Sequence, residues 1–202
     1  MKDEVKVAII AEDNRLVEFL RPAIAALAHD ADIEVCIDPI EKTRGCRPEA
    51  LRRIALATQA DLVTVGVDSD GPTHGMSGLT PRQKKQALIQ RLGTALDGAI
   101  LAIAFPCVEA WLLAEPNAFK QGLEAALGRP FHMPVHWPTP RKERKAKEAL
   151  GSVVAVGIEG NLPRAGFEYA DLIVRKMNLR DSPSESLRAW AREFERRLGE
   201  FR

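Results

Sequence analysis

Four acidic residues stand where apolar runs stop. Glu12 follows Val5-Lys6-Val7-Ala8-Ile9-Ile10-Ala11, Asp68 and Asp70 follow the run from Asp61 to Val67, and Glu109 lies just beyond the run from Ala99 to Phe105. A hard cation such as Mg²⁺ or Mn²⁺ takes oxygen ligands from one or two carboxylates and completes its shell with water and phosphate. Asp68-Ser69-Asp70 suits that need, because two carboxylates two residues apart in a turn can face one ion. Glu12 can then hold a second ion or act as a general acid or base. Each element alone also has a plainer reading. An Asp-x-Asp-Gly turn commonly bonds its own backbone, and a Glu ahead of a helix compensates the helix dipole. Glu109 divides evenly between a metal ligand and a residue that caps its helix and hydrogen-bonds a neighbouring loop.

Other polar groups are candidates for contact with phosphate. Arg82, Lys84 and Lys85 open a helix whose N-terminus would favour an anion. Arg141, Lys142, Arg144 and Lys145 form a basic cluster able to neutralise several nucleic-acid phosphates. In both cases a solvated helix face accounts for the same residues. No aromatic residue is interleaved in the second cluster, and Trp137 is only nearby. His74, in the loop after Asp70, reads as a solvated loop histidine with a leaving group or metal as the alternative. Trp111, Leu112 and Leu113 read as core.

The elements that must position these groups follow from periodicity. The runs 5–11 and 99–105 are short and nearly all apolar, the pattern of strands buried on both faces of a parallel sheet, and further strands are expected at 33–37 and 61–67. Between 5–11 and 33–37, Leu16, Phe19, Leu20, Ile24 and Leu27 recur at helical spacing, with Asn14 as the expected N-cap and Pro22 marking a kink or the effective helix start. Helices are also expected at about 48–58, from a Thr80-Pro81 cap to about 96, and over one or two turns at 108–114. Strands alternating with helices in this way predict an α/β, Rossmann-like, mostly parallel sheet with helices on both faces. Beyond Pro116 the prolines at 130, 134, 138 and 140 break the pattern, and helices are expected at about 141–150, 165–177 and 184–199. The expected division is an α/β core over 1–116 and a mainly helical extension over 117–202, packed on that core.

Composition excludes several classes. A chain of 202 residues with 46% hydrophobic and 28% charged residues is ordinary globular protein. No apolar run approaches a membrane span, and the first residues lead straight into a strand without a signal-peptide pattern, so a cytoplasmic location is expected. Three cysteines without CxxC spacing argue against a disulfide framework or zinc cluster, and Cys36 and Cys107 are expected to be buried apolar residues. The net charge of +1 divides into 15 basic and 18 acidic side chains before residue 141, a net of −3, and +4 thereafter. No GxGxxG or GxxxxGK[ST] follows any strand, which leaves little room for a Rossmann-type nucleotide enzyme.

At this point the residues resemble a family. A strand ending at Glu12, then a strand ending in Asp68-Ser69-Asp70, is similar to the TOPRIM fold of topoisomerases, primases, recombination proteins and related nucleases. The phrase from Pro106 to Pro116, containing Glu109-Ala110-Trp111-Leu112-Leu113-Ala114, resembles the signature of the TOPRIM-like DUF4276 family of bacterial proteins, often associated with defence against foreign DNA. Ser182-Pro183-Ser184-Glu185-Ser186-Leu187-Arg188, leading to Phe194, resembles that family's ending. The resemblance implies Mg²⁺- or Mn²⁺-dependent phosphodiester chemistry, a nuclease or nicking enzyme, with Glu12 as general acid/base and Asp68, Asp70 and Glu109 as metal ligands. It departs from the pattern at Asp13, where TOPRIM proteins usually have Gly. The competing expectation is a non-catalytic TOPRIM-like module that binds a partner protein such as an ATPase.

Overall fold

The computed structural model describes residues 4–40, 54, 59–69, 79–80, 83, 86–87, 89–90, 98–139, 143–157 and 167–202, with backbone only at 39–40, 143–144 and 156–157. Asp70, His74, Arg82, Lys84, Lys85, Arg141 and Lys142 lie outside the described residues, as do Cys46 and most of the helices expected over 48–58 and 80–96.

The four expected strands are present: β1 (Val5–Ala11), β2 (Val35–Ile40, which starts and ends later than the expected 33–37), β3 (Leu62–Asp68) and β4 (Ile100–Ala104). All pair in parallel, in the order β2-β1-β3-β4. Ile9 sits beside Pro39 on one side and Thr64 on the other, and Val65 sits beside Leu101. The chain runs outward from β1 to β2, then returns past β1 to β3. The strand order therefore reverses between β1 and β3, and in doubly wound sheets ligands bind outside the carboxyl ends of the strands at this reversal.

Along β1, β3 and β4 both sheet faces are largely buried, whereas β2 exposes Cys36 and Asp38. On one face Val5, Val7, Ile9 and Ala11 of β1 and Ile100, Ala102 and Ala104 of β4 join a large core, while Ile10, Val65, Val67 and Ile103 form a smaller cluster on the other. Helix α1 (Asn14–Asp30) lies on the large-core face, burying Leu16, Phe19, Leu20, Ala23, Ile24 and Leu27. Gly66 makes this approach close: a Cβ there would stand 2.9 Å from Leu20 Cδ1.

Two local expectations at α1 are corrected. The N-cap is Asp13 rather than Asn14: Asp13 has extended backbone, and its Oδ1 accepts from the Leu16 amide at 3.1 Å. Pro22 does not start the helix, which runs without interruption from Asn14 to Asp30 with Pro22 buried. Packing against the sheet outweighs the hydrogen bond that proline removes. Cys107 is buried as expected, but Cys36 is exposed, because β2 is an outer strand of the described sheet. At Thr80 the expected cap is present. Its Oγ1 accepts from the Gln83 amide at 3.4 Å, and its own amide donates to Gln83 Oε1 at 2.9 Å, a reciprocal capping box.

After β4 come α2 (Val108–Leu112), α3 (Pro116–Leu127), α4 (Glu143–Gly157), α5 (Ala170–Val174) and α6 (Glu185–Leu198). The helix expected over 165–177 is shorter than its pattern suggested: a 3₁₀ turn at Phe167–Tyr169 precedes the five residues of α5. The C-terminal helices share the large core with the sheet rather than forming a second one, since Phe119, Leu123, Ile173, Trp190 and Phe194 belong to the same cluster as β1 and α1. Trp111 is the hub, fully buried, with its ring centroid 5.2 Å from Phe19 and 6.5 Å from Trp190. Its indole Nε1 donates to Ser186 Oγ at 2.9 Å, so the two motif phrases, 106–116 and 182–188, meet in space. Helices α3 and α5 cross closely at Gly122, where a Cβ would lie 2.5 Å from Ile173 Cα. Among the described residues, no helix is long and apolar enough to cross a membrane.

Candidate functional site

The carboxyl ends of β1, β3 and β4 are joined by backbone and side-chain hydrogen bonds, and these set the acids in place. The Glu12 amide donates to the Gly66 carbonyl at 3.0 Å, carrying the chain of β1 past the end of its strand alongside β3. The Asp68 amide in turn donates to Glu12 Oε2 at 3.3 Å. Asp68 Oδ1 accepts from the Val108 amide at 3.0 Å, at the first turn of α2. Ser69 completes the junction with β4, its amide donating to the Ala104 carbonyl at 2.9 Å and its hydroxyl to the Pro106 carbonyl at 3.1 Å. The Phe105–Pro106 peptide bond is cis.

Glu12, Asp68 and Glu109 thus gather at one end of the sheet, at the strand-order reversal. Asp13 joins them. Asp68 is 6% exposed and Glu109 is 1% exposed. Burial is the main cause of a raised pKa at Asp68, up to about 8, and the charges of Asp13, Glu109 and Glu12 add to it; the Val108 hydrogen bond works in the opposite direction. Burial, followed by the charges of Glu109 and Asp68 and by contact with the Glu109 side chain, likewise pushes the Cys107 thiol up, which disfavours the thiolate.

Glu109 has two unlike oxygens. Oε1 is held by the Arg15 guanidinium, in an ion pair between residues 94 apart in sequence. Oε2 is buried and has no hydrogen-bond partner. Arg15 is half-exposed, and its guanidinium carbon lies 6.0 Å from the centroid of the Phe167 ring. Of the two alternatives for Glu109, the helix-capping one is not what the structure shows. The cap position of α2 is Cys107, without a side-chain cap bond, and the carboxylate that meets the Val108 amide comes from Asp68 on another strand.

Among the described residues, no group of three or more His, Cys, Asp or Glu side chains is arranged to hold a metal ion. Mg²⁺ does not require such a cage, since it is commonly held by one or two carboxylates with water and phosphate in its remaining positions. The donor chemistry present fits a hard divalent cation on two observations. A buried carboxylate oxygen at Glu109 has no partner, and Asp68 sits among acidic neighbours whose mutual repulsion a cation would relieve.

Of the basic candidates, Lys145 is described and exposed on α4, and the side chain of Arg144 lies outside the description. The arginines of α6 are turned to structural pairing: Arg192 meets Asp181, Arg196 meets Glu193 and Glu200, and Arg188 donates to the Ser182 carbonyl.

Asp13 is visible in the sequence only as a departure from the TOPRIM pattern beside Glu12, and Arg15 is not visible as a site residue at all. The Asp13-x-x-Leu16 spacing was a usable cap signal. Arg15 offered none, because its partner is remote in sequence.

Comparisons with protein-family models, with curated proteins and with solved structures found no match.

Proposed function

We propose that the chain is a divalent-cation-dependent phosphodiesterase acting on nucleic acid, a nuclease or nicking enzyme. The observation that carries this reading is the convergence of Glu12, Asp68 and Glu109 at the strand-order reversal, with one buried Glu109 oxygen left without a partner. Asp68 and Glu109, with Asp70, would hold Mg²⁺ or Mn²⁺. When bound, the ion would polarise a phosphoryl oxygen and make an attacking water more acidic. Glu12 would exchange a proton with that water or with the leaving oxygen. Its Oε2 already accepts from the Asp68 amide, which fixes the carboxylate beside the proposed ligand. Arg82, Lys84, Lys85, Arg141, Lys142, Arg144 and Lys145 are the proposed contacts to the phosphate backbone. The resemblance of 106–116 to the DUF4276 signature adds defence against foreign DNA as the proposed setting.

The test is cleavage of supercoiled plasmid, linear duplex, single-stranded DNA and RNA with Mg²⁺ or Mn²⁺, against a chelator control. Cleavage that requires the cation and is abolished by Glu12→Gln and Asp68→Asn supports the proposal. Intact substrates throughout, or cleavage undiminished in both variants, would overturn it.

A second reading has its own support. Asp68 already meets the Val108 amide and Glu109 already meets Arg15, so two of the acids have structural partners in a scaffold that needs no ion. On this reading the chain is a non-catalytic module that binds a partner such as an ATPase. Co-purification with that partner, together with no Mn²⁺-induced rise in melting temperature, would select it.

A further inference from the structure

Arg15 has no part in the chemistry proposed above, yet it is the cation that touches the most buried acid of the centre. Its ion pair with Glu109 joins side chains of very different exposure, 42% for Arg15 and 2% for Glu109. A carboxylate so deeply buried makes a strong demand for a positive partner. Arg15 meets that demand at one oxygen only, since Oε2 has no hydrogen-bond partner. The arginine end of the pair, by contrast, is open to solvent and has the face of Phe167 at 6.0 Å as a neighbouring surface. Guanidinium groups rest well on aromatic faces. Glu109 is therefore fixed, and Arg15 is the half of the pair with freedom to leave.

We propose that Arg15 competes with a divalent cation for Glu109, so that the guanidinium sets the cation concentration at which the centre loads. This rests on the divalent-cation reading of the site. Arg15 here is a positioning residue, acting through Glu109. The sign of its effect follows from Coulomb's law. A guanidinium on Oε1 removes one unit of negative charge from the centre and repels a doubly charged ion a few ångströms away. Taking the guanidinium away must tighten cation binding, whereas a purely structural ion pair, once broken, would loosen Glu109 and weaken it.

The experiment is Mn²⁺ binding to the full chain, followed by calorimetry and by electron paramagnetic resonance of free Mn²⁺, in the wild type, Arg15→Gln, Arg15→Lys and Glu109→Gln. The expected result is that Arg15→Gln binds Mn²⁺ tighter by about tenfold, the scale of removing one nearby charge in a partly solvated site. Arg15→Lys stays near the wild type, and combining Arg15→Gln with Glu109→Gln cancels the gain. An unchanged or weakened Mn²⁺ affinity in Arg15→Gln would sink the competition while leaving the cation-dependent function standing. No Mn²⁺ bound by the wild type or by Arg15→Gln would instead remove the functional reading itself, and the competition with it. A measurement on the unmutated chain guards against misfolding of the variants. Phenylglyoxal modification of Arg15, read by peptide mass, should rise when Mn²⁺ is added, and constant or reduced labelling in a chain that binds Mn²⁺ would overturn the proposal.

Discussion

The carboxylate of Asp68 reaches across from the end of β3 to accept the amide of Val108 at 3.0 Å. This bond gives α2 its first-turn partner and holds an acid in the protein interior. The same residue is therefore a structural tie and, by burial and acidic neighbours, a group with a pKa raised to about 8.

The raised pKa has a sign that a melt can check. Its folded value lies above the ordinary 3.8, so folding favours the protonated form. The stability this group contributes is fully present below about pH 4 and is lost as pH rises through about 8, a change on the order of a few kcal/mol. Without divalent cations, Asp68→Asn should flatten the part of the pH dependence between 4 and 8 that Asp68 causes. At pH 9 it should melt above the wild type, because Asn keeps an oxygen for the Val108 amide without the buried charge. Melting curves across that pH range, with a chelator present, decide it.

Added Mn²⁺ should reverse the order. A ligand that binds only the folded chain at one hundred times its Kd stabilises by about 2.7 kcal/mol. The wild type should therefore gain melting temperature with Mn²⁺ at pH 8, and Asp68→Asn should gain little. Equal gains in both would place the ion elsewhere.

Asp13 separates capping from charge. Asp13→Ala removes the bond to the Leu16 amide and should cost about 1 kcal/mol in denaturant unfolding. Asp13→Asn keeps the cap at little cost, yet removes the charged neighbour that raises Asp68 most. The Asp68 pKa, followed by carboxyl NMR, should then fall in Asp13→Asn. A value as high as in the wild type would show that Asp13 acts only as a cap.

Two glycines should differ in what a methyl group does. At Gly122 the added Cβ meets backbone, Ile173 Cα at 2.5 Å and N at 2.7 Å, so Gly122→Ala must push α3 and α5 apart, with a cost of roughly 1–3 kcal/mol. At Gly66 the closest atom, at 2.9 Å, is the end of the Leu20 side chain, which can turn aside. Gly66→Ala should be the milder change in chemical denaturation. The reverse ranking would contradict the α3–α5 crossing.

Trp111 and Ser186 test the junction of the two motif phrases. Ser186→Ala leaves a buried indole N–H without an acceptor and should cost about 1–3 kcal/mol. A neutral result would mean that the indole finds another partner.

The amino-acid sequence by itself determined β1, β3 and β4 and the acids beyond their ends, because a strand buried on both faces is almost wholly apolar and a polar residue marks where burial ceases. It also fixed α1 and α6, whose apolar residues recur at helical spacing. Only the tertiary structure decided which acids meet and what answers their charge. Arg15 pairs with Glu109 and Asp68 with Val108 because the order β2-β1-β3-β4 brings three remote strand ends together. The cap at Asp13 and the exposure of Cys36 follow from the same arrangement, the first through the start of α1 and the second through the outer position of β2. Periodicity records which face of an element is buried, but not which neighbour buries it. The charge balance of this site is a property of the neighbours.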